Sequence, residues 1–122
     1  MKSSLSIHQK LCVAEAVTNL LRKSALLQER WHQRRTFEFP NSPLSRRTRR
    51  VLNELATQCE ANAESMHENA THALVAVRQE KFGAGVAALT KCGEALVFDA
   101  AAEVVAAWLL EHAGKEPHAG SN

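Results

Sequence analysis

From Ser6 to Arg34 the chain carries neither glycine nor proline. Val13, Ala16, Leu20, Leu27 and Trp31 return there at helical steps, flanked by Val17, Leu21 and Leu26. One broad apolar stripe at this period is the signature of an amphipathic helix. At 1.5 Å per residue the helix is roughly 40 Å long. A stripe of that length must be covered, so the fold has to lay other long helices along the first. Ser4 or Ser6 suits the N-cap.

The remaining segments supply such helices. Ser42 fits an N-cap and Pro43 a first helical position. Leu52, Leu55, Ala56, Cys59, Ala63 and Met66 then form a strict helical stripe, resumed by Ala70, Ala73, Leu74 and Val77. The pattern weakens near Asn69, so residues 43–80 read as one helix or as two. Gly83 and Gly85 mark a break. A further helix is expected over Val86–Val97, with Leu89, Cys92, Leu96 and Val97 inward. Asp99 fits the N-cap of a last helix, Ala100–His112, burying Val104, Val105, Trp108 and Leu109; Gly114 ends it. The literal GxGxxA at Gly83 follows a helix and not a strand, so it reads as a helix–helix turn and not as a phosphate cradle. No segment alternates with the period of a strand. The expectation is an all-α, antiparallel bundle of four to five helices over residues 1–113, with a disordered tail at 114–122.

The stretch from Arg30 to Arg50, RWHQRRTFEFPNSPLSRRTRR, interrupts this pattern. It holds seven arginines against one acid, Glu38, or about +6, whereas the whole chain is +2. The remainder is therefore acidic overall. Pro40 and Pro43 predict extended backbone at Phe39 and Ser42, with Phe37 and Phe39 alternating along a segment laid over the bundle. Arg46, Arg47, Arg49 and Arg50 fall at a helix start, where the dipole disfavours cations. Guanidinium forks beside free helix-terminal amides suit a phosphate or an acidic peptide. The plainer alternative is a solvated face neutralised by Glu54, Glu60 and Glu64. The candidate partner-binding residues are Arg34, Arg35, Arg46, Arg47, Arg49, Arg50, Phe37 and Trp31. Trp31 and Trp108 end the stripes of the first and last helices and read as anchors of the core; either one, if exposed, marks a partner surface.

Enzymatic chemistry is not indicated. His67 and His72 are five residues apart, roughly 140° around a helix, so they do not share a metal. No Ser/His/Asp or Cys/His motif appears, and no metal or cofactor is expected. Cys12, Cys59 and Cys92 are widely spaced and odd in number, as in reduced thiols of an intracellular protein. With no apolar leader and with Asp99 and Glu103 interrupting Ala95–Leu110, neither secretion nor membrane insertion is expected. A cytoplasmic or nuclear location follows from that reading.

Ala25-Leu26-Leu27-Gln28-Glu29-Arg30-Trp31 resembles the ALLQxxW helix ending of one helical domain family. That domain is shared by the steroid receptor RNA activator protein and the C-terminus of the COPII outer-coat subunit. Pro43-Leu44-Ser45 followed by a basic helix start, Leu52-Asn53-Glu54-Leu55, Glu80-Lys81-Phe82 and Leu96-Val97-Phe98-Asp99 are similar to later parts of it. The resemblance implies a five-helix, non-enzymatic scaffold acting in coregulator, ribonucleoprotein or coat assembly; the arginines suit an acidic protein partner for it. Two alternatives use other features. One is direct RNA or DNA binding through Arg46–Arg50. The other is a tetratricopeptide-like peptide-binding adaptor built on residues 73–96. A first helix self-associating through Leu20, Leu27 and Trp31 would make a dimer; the oligomeric state is left open by the sequence.

Overall fold

The structure is a computed structural model and describes residues 4–113. Among these residues there are three α-helices and no strand: α1 (Ile7–Gln33), α2 (Arg46–Arg78) and α3 (Phe82–Ala113). α2 runs antiparallel between the other two and packs against both. Four or five helices were expected. Both additional breaks are absent, because neither Asn69 nor Asp99 interrupts the backbone ladder. Asn69 turns its amide back onto the Ser65 carbonyl one turn earlier. Asp99 is mid-helix, and its carboxylate serves α1 instead of a helix start. The expected tail at 114–122, and the Gly114 stop, lie outside the described residues.

Ser6 caps α1 in a capping box: its hydroxyl accepts from Gln9 N–H while the Gln9 side chain accepts from Ser6 N–H. Two apolar clusters follow along the bundle. Val17, Leu27, Ala63, Met66, Ala70 and Cys92 fill one. Trp31, Phe39, Leu52, Ala56, Cys59, Ala102 and Ala106 fill the other. The expected stripe of α2 is the buried one, from Leu52 to Ala73. Leu27 and Trp31 are consumed in this core, so self-association through α1 is ruled out for those two side chains.

Of the expected inward set of α3, Cys92 is buried and Leu96 and Leu109 are partly so, but the rest is corrected. Ala88, Ala102 and Ala106 join Cys92 facing α2, whereas Leu89, Val97, Val104, Val105 and Trp108 are exposed. Small residues on the inner side let α3 approach closely. At Gly85 an added Cβ would lie 3.1 Å from Val77 Cγ2. The α2–α3 turn is Gln79–Lys81, with Glu80 at φ 60°, so α3 starts before both glycines and not after them.

The segment after α1 is helical and not extended. Residues Arg34–Glu38 form one π turn, closed by Phe39 N–H donating to the Arg34 carbonyl at 2.8 Å. Phe39 itself has φ −67°, ψ −43° in spite of Pro40. Eight residues separate Trp31 from Phe39, which in α geometry overshoots two turns by about 80°. A wider turn absorbs that excess and returns Phe39 to the face of Trp31. Phe39 is thereby buried, and Phe37 stays exposed. Asn41 and Ser42 donate side-chain hydrogen bonds to the Phe37 and Glu38 carbonyls at 2.7 Å each. Ser42 is thus spent on the end of this turn, and Ser45 caps α2 instead, accepting from Thr48 N–H at 3.1 Å.

Candidate interaction surface at the basic end of the bundle

The turn from α1 into α2 gathers all seven arginines at one end of the molecule, but the helices divide them into two groups. Arg34 bridges Glu38 at 3.1 Å and Glu103 of α3 at 2.9 Å. Its guanidinium also lies 4.7 Å from the Trp31 ring centre and 5.3 Å from that of Phe39, within cation–π range. Arg30 pairs with the other oxygen of Glu103. Arg35 holds Glu60 of α2 with two donors, at 2.5 and 3.2 Å. These bonds hold the Glu60 carboxyl below its usual range, with a smaller contribution from His32, 3.5 Å away, and against the opposing effect of burial. The same partner raises the Arg35 guanidinium.

Arg30, Arg34 and Arg35 therefore tie the end of α1 to α2 and α3. Trp31 belongs with them. It is fully buried, and its Nε1–H donates to Asp99 Oδ1 at 2.5 Å. Trp31 is removed from the candidate partner-binding set, and Arg34, only 14% exposed at its side chain, is a structural bridge.

The second group sits on the first turns of α2. Arg49 reaches back, and its Nη2 donates to the Ser42 and Leu44 carbonyls at 3.2 and 3.3 Å. It fastens the loop that precedes its own helix. Arg46, Arg47 and Arg50 are exposed, and among the described residues none has a carboxylate within ion-pairing distance. The expected neutralisation by Glu54 and Glu64 does not occur there; Glu60 is engaged by Arg35. An open groove runs beside Arg46, Arg49, Arg50, Asn53 and Glu54. Two side-chain atoms of residues lining it, Arg49 Nε and Asn53 Oδ1, are buried without a hydrogen-bond partner among the described residues. A second groove, along Leu26, Arg30, Arg34 and Phe37, exposes the Phe37 ring.

Electrostatically this end can attract an anion. Three unpaired guanidiniums stand at the positive end of a 33-residue helix. No pair of nucleophile and base is assembled in it. Among the described residues no group of three His, Cys, Asp or Glu side chains could hold a metal ion, and no helix is long and apolar enough to cross a membrane. The Cys59 thiol, buried and facing the Asp99 and Glu103 charges, is pushed up to about 12. Burial raises Cys92 as well.

Fold and surface together define a three-helix, up-down-up bundle with one basic end. No family model, curated protein or solved structure matches the chain.

The sequence pointed to the arginines but did not sort them. The outward face of α3 was missed altogether, although Asp99 and Glu103 are the only polar residues in Ala95–Leu110 and both are taken up by α1, which leaves the side toward water apolar.

Proposed function

We propose that the protein is a non-enzymatic helical scaffold that docks an acidic protein segment on Arg46, Arg47 and Arg50. The observation that carries this reading is the division of the arginines. Four are engaged by carboxylates or loop carbonyls, and three are left exposed without a carboxylate at the helix start. Repulsion among those three at a positive helix end is unfavourable for the isolated fold, which an anionic partner would reverse. The resemblance to the helical domain of the steroid receptor RNA activator protein and the COPII outer-coat subunit supports the same class, a scaffold in coregulator, ribonucleoprotein or coat assembly.

Direct RNA or DNA binding is the second reading, favoured by the presence of helix-terminal amides beside the same guanidiniums. Titration of an acidic peptide, single-stranded RNA and duplex DNA at two salt concentrations separates the two. Binding to nucleic acid would weaken by about 0.7 to 0.9 log units per log unit of salt for each phosphate neutralised. Docking of the acidic peptide, lost when Arg46, Arg47 and Arg50 are changed to Ser, is the expected result. Low-salt binding of neither ligand class overturns both readings.

A further inference from the structure

We propose that two copies of this chain pair through α3, antiparallel about a two-fold axis between Ala100 and Ala101, with Trp108 of each copy seated over Gly93 of the other. The side of α3 turned away from α2 is apolar. Val97 and Val104 are 71% and 70% exposed, Val86 63% and Trp108 57%. At 100° per residue these four side chains fall within about 40° of one another, opposite Ala88, Cys92, Ala102 and Ala106. Such a face is covered in a stable protein.

The spacing of the face is self-complementary. Reversed about the Ala100–Ala101 midpoint, Val97 meets Val104, Ala100 meets Ala101, and Gly93, the smallest residue, meets Trp108, the largest. Gly93 is an independent indication. Glycine weakens a helix interior, and a Cβ at this position would meet nothing within 4 Å. The packing of one chain therefore gives no reason for it, while an incoming indole does. Trp108 for its part lies against His112 of the following turn, ring centres 4.3 Å apart, with its remaining surface open. Interface size agrees with a weak self-association. In this register residues 88–113 of the two helices overlap, about 39 Å of length at about 10 Å across. Two such faces together cover roughly 800 Å2, the range of weak, transient contacts. Micromolar and not nanomolar affinity is expected.

The proposal is tested by sedimentation equilibrium of the full chain at tens of micromolar. A dimer is expected. Val97→Asp and Gly93→Leu are each expected to give a monomer with an unchanged helical circular-dichroism spectrum, since both positions have open space in the single chain. In a Cys12→Ser background, Ala101→Cys is expected to form an oxidised dimer, because the two Ala101 positions straddle the axis. A monomeric wild-type chain overturns the proposal. A dimer that survives both Val97→Asp and Gly93→Leu places the contact elsewhere and overturns it too. A dimer that Ala101→Cys fails to cross-link overturns the antiparallel register.

Discussion

Trp31 and Asp99, 68 residues apart, are joined by a 2.5 Å hydrogen bond from the indole N–H to a carboxylate oxygen. It connects the end of α1 to the middle of α3 across the top of α2, directly beside the Arg34–Glu103 bridge. Trp31→Phe keeps an aromatic ring but removes the pyrrole part of the indole, leaving a small void and a half-buried carboxylate without its donor. A loss of about 1–3 kcal/mol is expected in urea unfolding. Asp99→Asn keeps an acceptor and should cost less than Trp31→Phe.

Phe37 and Phe39 are two residues apart and should behave as opposites. Phe39 is buried against Trp31 and Leu52, so Phe39→Ala is expected to cost about 3–5 kcal/mol. Phe37, 63% exposed, should change stability by no more than about 0.5 kcal/mol on the same replacement. Equal losses would mean that the π turn does not select between them.

The depressed Glu60 carboxyl makes stability depend on acid. Its folded pKa lies below the unfolded value of 4.5, chiefly because of the Arg35 hydrogen bonds. The contribution is therefore present above pH 4.5 and is lost as pH falls through the lower folded value. Glu60→Gln should flatten the decline in melting temperature in that window and leave the alkaline side unchanged.

Thiol reactivity should divide the three cysteines. Cys12 is exposed, while Cys59 and Cys92 are buried and raised. One equivalent is expected to react quickly with a disulfide-exchange reagent in the native protein, and three after denaturation. Cys12→Ser should abolish the fast phase.

The α2–α3 turn carries local strain at Glu80, a residue with a side chain at φ 60°. Glu80→Gly should stabilise by up to about 1 kcal/mol. Gly85→Leu should destabilise, because Gly85 is buried and a Cβ there already lies 3.1 Å from Val77 Cγ2, so a larger side chain has no room. Thermal unfolding of the two variants gives opposite signs if the turn is as described.

Helical class, the stripe of α1 and that of α2 were legible in the sequence because both depend on local rules. A backbone hydrogen bond spans four residues, and a 3.6-residue period of apolar side chains reports the buried face wherever the other face is polar. That reasoning failed in α3, where nearly every position is apolar and periodicity cannot say which side is inward; Val97 and Val104 were assigned to the core for that reason. It failed again at Arg34–Phe39, where a single wide turn changes the phase of the helix. The number of helices, the exposure of Trp108 and the separation of Arg46, Arg47 and Arg50 from the other arginines were decided by the tertiary structure alone. The carboxylates and carbonyls that select among these arginines include Glu60, 25 residues from Arg35, and Glu103, 69 from Arg34. No local pattern encodes which charges will meet over such separations. The packing of α1 and α3 on either side of α2 brings them together.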